Sequence, residues 1–279
     1  MNSISEDVIR EYIADLADSG KASGTIDDYQ RYVRRFAAFL GERELTAGAA
    51  AAWKKSLEES ALAACTVNLC ISAVNSFLKF LGREDCLLRR LRIQQKPYRE
   101  DRRDLDRDEF GRLVNAARRT GRKKEALIME TLCATGIRVS ELRYITVEAA
   151  GAGRAEIALK GKIRVILIPE KLRRSLIRYA KECGLTAGVI FRGAAGGPMD
   201  RRRIWEAMKA VCAHAGVPRT KVFPHNLRHL FAVTFYRKYR DIAALADILG
   251  HSSTNTTRIY LITTGEEHAR RLDELGLVS

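Results

Sequence analysis

Arg138 in TGIRVSEL and the run His225, Arg228, His229 in FPHNLRH precede LGHSSTNTTRIY, which carries His251 and ends in Tyr260. Fixed cations can hold a phosphate while a side-chain oxygen attacks its phosphorus, so a phosphodiester can be cut with neither a metal nor an activated water. Tyr260 has the oxygen for that attack. A free phenol, with a pKa of about 10, is only on the order of a thousandth ionised at pH 7, a deficit of about 4 kcal/mol that cations or a base must offset. The arginines and histidines are suited to supply that offset.

His225, Arg228 and His229 stand at i, i+3 and i+4, so on a helix they share one face, and Pro224 before them fits a helix entry. The free N–H groups and partial positive charge of a helix start would add to Arg228 in holding a phosphate oxygen. HNLRH alone reads as readily as a structural histidine at a helix start; its companions Arg138, His251 and Tyr260 turn the reading towards chemistry. No GxxxxGK followed by Ser or Thr and no carboxylate cluster with two-metal spacing occurs, so neither a cofactor nor a metal is expected.

These residues must be positioned by elements that the hydrophobic pattern outlines. The first hundred residues read as about four helices. Ser3-Ile4-Ser5-Glu6 resembles a capping box ahead of Val8, Ile9, Tyr12, Ile13 and Leu16. A second helix, capped by Ser23 or Thr25, carries Ile26, Tyr29, Val33, Phe36, Phe39 and Leu40 to Gly41. A third surrounds Trp53 from Ala50 to Leu57, and a fourth runs from Thr66 to Leu81. The polar stretch IQQKPYREDRRD, with Pro97 and no apolar period, predicts a hinge between two domains.

Beyond it, Asp106 and Glu109 form a second possible capping box, and a buried helix through Leu127, Ile128 and Leu132 stops at Gly136, with Arg138 just past its end. Glu156 to Leu159 and Arg164 to Ile168 read as a β-hairpin turned by Lys160-Gly161-Lys162. Helices follow over Glu170 to Cys183, from an Asp200 cap through Trp205 to Ala215, and after Pro224 and Asp241. The expected fold is mainly α with a small β-sheet: residues 1–92 a helical domain, 93–104 a linker, and 105–279 an α+β domain that carries the chemistry.

Charge names the partner. The formal net charge is +15, and it is uneven: 14 lysines and arginines stand against 13 acids up to Pro97, and 35 against 21 after it. Neutralising several phosphates releases condensed counterions, so such a balance favours nucleic acid, with an anionic membrane surface second. Six cysteines without a CxxC pair read as reduced thiols, mostly core filler, in a cytoplasmic protein, and no apolar run reaches the about 18 residues of a membrane span. The run Arg201-Arg202-Arg203 suits phosphate contact or a solvated face.

In this order, TGIRVSEL, a basic hairpin turn, PHNLRH and LGHSSTNTTRIY closely resemble the motifs of the tyrosine recombinases, also called phage integrases. The resemblance covers Leu105 to the C-terminus by motif and the first part by architecture only. The run KVFPHNLRHLFAVTFY, with ILGHSSTNTTRIY, also resembles integrases of certain conjugative transposons. It implies a helical core-binding domain that clamps DNA, followed by the catalytic domain.

The resemblance further implies that Arg138 and Arg228 clamp the scissile phosphate, Tyr260 attacks to form a 3′-phosphotyrosyl link, His225 acts as general base or phosphate contact, and His251 donates to the same phosphate. A hairpin lysine would protonate the leaving 5′-oxygen, a role worth about 10²–10⁴ in rate. The turn is one residue shorter than the family's usual one, so Lys160 is preferred, Lys162 is the fallback, and both could instead merely hold DNA. Glu141 would support Arg138, and His229 is structural. The implied partners are double-stranded DNA with specific recombination sites, a homotetramer on paired sites, and DNA-bending accessory proteins, in the service of integration or excision of a mobile element. Leu261, Ile262, Leu272, Leu275, Leu277 and Val278 would dock the tail on a neighbouring subunit or fold back. Two alternatives stand beside this: a type IB topoisomerase-like nicking-closing enzyme, and a non-catalytic DNA-binding accessory protein.

Overall fold

The computed structural model describes residues 4–93, 104–159, 162–251, 253–258, 260, 270 and 273–276. The chain folds as two compact units, Met1–Gln95 and Lys96–Ser279.

The first unit is built from α1 (Glu6–Asp18), α2 (Ser23–Leu40), α3 (Ala47–Glu58) and α4 (Ala64–Phe80). Its apolar stripes meet as the periodicity requires. Phe36 of α2 packs edge-on against Trp53 of α3 at 5.0 Å, and Tyr12 of α1 meets Phe77 of α4 at 5.1 Å. Two asparagines two turns apart on one face of α4 clip the exit of the unit. Asn75 exchanges both amide bonds with Leu88 (2.8 and 2.9 Å), and Asn68 does the same with Leu91 (3.0 and 2.7 Å). Cap assignments differ from expectation at two places. Ser5 caps α1 through Val8 N, with Ser3 outside the described residues, and α2 starts after Ala22 with no side-chain cap bond, because Ser23 already lies inside the helix.

The second unit opens with α5 (Arg107–Arg119), whose capping box is complete: Glu109 N donates to Asp106 at 2.7 Å and Asp106 N to Glu109 at 3.1 Å. The apolar α6 (Lys123–Thr135) lies in the core, packed by α5, α8 (Glu170–Glu182), α9 (Arg201–Lys209) and α11 (Pro224–Tyr239). A 3-10 turn, Val139–Tyr144, and the short α7 (Val147–Ala152) lead to β1 (Arg154–Leu159) and β2 (Lys162–Leu167). These two strands pair antiparallel, with Leu159 opposite Lys162 and Ile157 opposite Arg164.

The helix expected from Arg201 to Ala215 is two, α9 and α10 (Cys212–Ala215), with the break at Ala210 and Val211. After α11 the chain turns through Arg240 in the left-handed region (φ 55°), Asp241 caps α12 (Ile242–Leu249) through Ala244 N, and α13 (Thr254–Arg258) leads to Tyr260. The six thiols are free. Cys70, Cys86 and Cys212 are buried and Cys133 is partly so, whereas Cys65 and Cys183 are exposed and fill no core. Among the described residues, no helix is long and apolar enough to cross a membrane.

Candidate active site

Three helix ends bring the residues together. Gly136 ends α6 in the left-handed conformation (φ 63°), which turns the backbone so that Arg138 starts the next 3-10 turn. Pro224 opens α11 and sets Arg228 one turn inside it. Gly250, also left-handed (φ 65°), ends α12 and delivers His251. A Cβ at Gly136 would lie 2.5 Å from the Phe231 ring, and one at Gly250 would lie 2.5 Å from Arg164 Cδ, so neither position has room for a side chain.

The result is an open cleft of about 930 Å³ whose lining includes Arg138, His225, Arg228, His251 and Tyr260. Arg201, Arg202 and the 42 % exposed Trp205 line it as well, and Arg202 also pairs with Glu206 at 2.9 Å.

Arg228 is buried, and its guanidinium is fixed by the chain itself. Nη1 donates to Gly136 O at 2.6 Å and Nη2 to Leu249 O at 2.9 Å, while Nη2 also meets His251 Nε2 at 2.8 Å and Nε faces Tyr260 Oη at 3.4 Å. Burial pushes its pKa down, opposed by the Tyr260 hydroxyl, yet a guanidinium remains charged in such surroundings. A cation so fixed, with two donors on the imidazole and the phenol of the cleft, can turn those donors to an incoming phosphate oxygen.

The same contact assigns the tautomer of His251. Arginine only donates, so Nε2 must accept and the proton sits on Nδ1, which donates to Thr257 Oγ1 at 2.9 Å. Burial first, then the charges of Arg228, Arg138 and Arg164, hold its pKa down to about 4, which makes the ring neutral. Tyr260 is buried against three imidazoles: it stacks on His251 at 5.9 Å and 9°, and meets His225 and His229 at 5.6 Å each. His229 is itself buried, and its Nε2 lies 3.3 Å from a carboxylate oxygen of Asp104.

Arg138 is half exposed towards the cleft. Its Nη1 meets Glu141 Oε1 at 3.2 Å, and its N–H donates to Oε2 at 2.8 Å. Glu141 is buried and holds a second arginine, Arg164, more closely: Nη1 lies 2.9 and 3.0 Å from its two oxygens. Lys160 lies outside the described residues, as does the side chain of Lys162. The tail anchors Leu261, Ile262, Leu272, Leu277 and Val278 also lie outside them, and Leu275 is exposed.

Sequence reasoning therefore named Arg138, His225, Arg228, His251 and Tyr260 of the cleft and missed Arg164 and Thr257. The signal for Arg164 was present. In Arg164-Val165-Ile166-Leu167-Ile168 the strand period puts Arg164 on the face of the buried Ile166 and Ile168, where a charge needs a partner. Thr257 carried no such mark in the run SSTNTTR.

Residues 103–266 match the phage integrase family, and residues 2–85 match its N-terminal SAM-like domain. The chain belongs to the phage integrase family. Along 96 % of its length it is 31 % identical to the tyrosine recombinase XerA of Thermococcus kodakarensis, of which it covers 94 %. A lambda integrase dimer bound to a COC′ core site has the same fold (TM-score 0.72, 18 % identity, 92 % of this chain and 94 % of that one). So does the Tn1549 transposon integrase in complex with transposon right end DNA (TM-score 0.69, 17 % identity, 96 % and 99 %), a likeness at the level of fold. The chain is a tyrosine-type recombinase, an enzyme of site-specific DNA strand breakage and rejoining, and the topoisomerase-like and non-catalytic alternatives are set aside.

Proposed function

We propose that this recombinase cleaves double-stranded DNA at specific sites through Tyr260, with Arg138 and Arg228 on the non-bridging oxygens of the scissile phosphate. The observation that carries the reading is the 3.4 Å approach of the Tyr260 hydroxyl to Arg228 Nε in the cleft that Arg138, His225 and His251 also line. As the phenol oxygen attacks phosphorus, its proton passes to His225, the P–O5′ bond breaks, and the leaving oxygen takes a proton from Lys160, or from Lys162 as fallback. The product is a 3′-phosphotyrosyl link and a free 5′-hydroxyl. Because the link keeps the energy of the phosphodiester, the 5′-hydroxyl of another strand can reverse the step and complete an exchange.

His251 fits the same scheme with one change of state. To donate to a phosphate its Nε2 must carry a proton, whereas in the resting site Nε2 accepts from Arg228. An incoming phosphate supplies the negative charge that favours the protonated ring.

Residues 1–92 form the core-binding clamp, 93–104 the linker and 105–279 the catalytic domain in this reading. A homotetramer on paired sites, with DNA-bending accessory proteins, performs integration or excision of a mobile element in the cytoplasm. The excess of base beyond Pro97 and the arginines at the cleft, Arg201 and Arg202, support a DNA partner. The test is trapping on a nicked suicide duplex. Wild type forms a covalent protein–DNA adduct with its 3′ end attached, and Tyr260→Phe forms none while it still binds. A wild type that binds its site and yields no adduct refutes the assignment.

A further inference from the structure

Arg164 stands at a crossing of three segments that bear on the cleft, and nothing in the proposed chemistry uses it. It sits on the inward face of β2, its side chain only 15 % exposed, and it is not among the residues that line the cleft. Nη1 spans both oxygens of Glu141, and Nη2 donates to Ile248 O at 2.6 Å, in the segment that leads to His251. Its stem crosses Gly250 so closely that a Cβ there would be 2.5 Å from Cδ. Outside the lining of the cleft, Arg164 is poorly placed to take a phosphate itself.

What it can do follows from charge. Glu141 is buried beside Arg138, and a buried carboxylate with one cationic neighbour would claim that neighbour. Arg138 would then be held as an ion pair, and the cleft would present one positive charge fewer to a dianionic transition state. Arg164 meets the carboxylate through the shorter contacts, 2.9 and 3.0 Å against the single 3.2 Å contact of Arg138. We infer that Arg164 is a positioning residue that neutralises Glu141, leaving Glu141 to orient Arg138 by its backbone and side-chain bonds while the Arg138 charge stays available to the phosphate. This rests on the reading of Arg138 as a phosphate clamp.

The test is single-turnover cleavage of a suicide duplex by Arg164→Met, Glu141→Gln and the double variant, on normal DNA and on DNA with a methylphosphonate at the scissile position. Arg164→Met is expected to lose about a hundredfold in rate, since the carboxylate it uncovers disarms one phosphate contact. The double variant, which removes the uncovered charge, is expected to recover at least about tenfold of that loss. On the methylphosphonate, whose neutral phosphorus needs less cation, the Arg164→Met deficit should shrink by a similar factor. A merely structural arginine would give neither recovery, so a double variant as slow as Arg164→Met, or an equal deficit on both substrates, overturns the inference. Should Arg164→Met not fold, Arg164→Lys decides: it keeps the charge and gives up the fork, and a rate as low as that of Arg138→Ala refutes the charge argument, whereas a rate within about tenfold of wild type upholds it. Arg138→Ala is the control for the underlying reading. If it cleaves normal DNA as wild type does, Arg138 is no clamp, whatever Arg164 does.

Discussion

Gly136→Ala puts the geometry of the site to a quantitative test. The residue is left-handed, and its carbonyl takes the 2.6 Å bond from Arg228 Nη1. An added methyl meets Phe231 Cδ1 at 2.5 Å, Cε1 at 2.8 Å and Leu249 Cδ2 at 3.0 Å. Holding an L-residue in this conformation costs about 1–2 kcal/mol, and forcing a methyl into occupied space adds about 1–3 kcal/mol. A total near 3 kcal/mol, in a unit of this size, lowers the midpoint of thermal unfolding by about 6–12 °C. The movement that relieves the clash also shifts the Gly136 carbonyl under Arg228, and displacements of about 1 Å at a reacting centre cost about a hundredfold in rate.

Circular dichroism melting and single-turnover cleavage read the two effects separately. Phe231→Leu in the same background opens space at the ring, so the pair should be less destabilising than the sum of its members by about 1–2 kcal/mol. A Gly136→Ala protein that melts within about 2 °C of wild type and cleaves at the wild-type rate would show that the left-handed turn and its packing do not set the site.

Two further outcomes follow from groups described above. The His251 ring, its pKa held down to about 4, resists protonation when folded, while the unfolded chain takes up its proton near pH 6.5. Its contribution is present above pH 6.5 and is lost as pH falls towards 4; the ring is partly exposed, so screening reduces the ~3 kcal/mol such a shift represents to about 1–2 kcal/mol. Urea titrations at pH 7.5 and pH 5, where a little over half of the effect is expressed, should show wild type losing about 1 kcal/mol more than His251→Gln, and an equal acid loss in both removes the argument. Asn75→Ala leaves the Leu88 N–H and C=O without their amide partner and should cost about 2 kcal/mol in the first unit by urea titration, where a change under about 0.5 kcal/mol would count against the clip.

Much of this protein could be read locally. The stripes of α1, α2 and α4, the capping box of Asp106 and Glu109, the Asp200 cap and Pro224 at the head of α11 depend on neighbours within a turn, and the hairpin on a short turn between two β-rich runs. Arg138, His225, Arg228, His251 and Tyr260 were recognisable by type and order. What escaped depends on partners far along the chain: Arg228 with the Gly136 carbonyl, and Arg164 with Glu141 and the Ile248 carbonyl. Gly136 read as a helix stop, although its missing side chain also makes room for Phe231. The break between α9 and α10 escaped because the apolar pattern runs on through Ala210 and Val211, where helix termini rather than pattern decide.

The meeting of Tyr260 with Arg228 inside one fold has a consequence for mixed populations. On the proposed reading, the subunit that grips a strand is also the one that strikes it, so none borrows its weapon from a neighbour. Two crippled versions, one without the arginine and one without the tyrosine, would stay inactive when blended, since every member lacks half of its own pair. In an assembly of four, damage to one gene copy would then weigh more than its share, never cured by company.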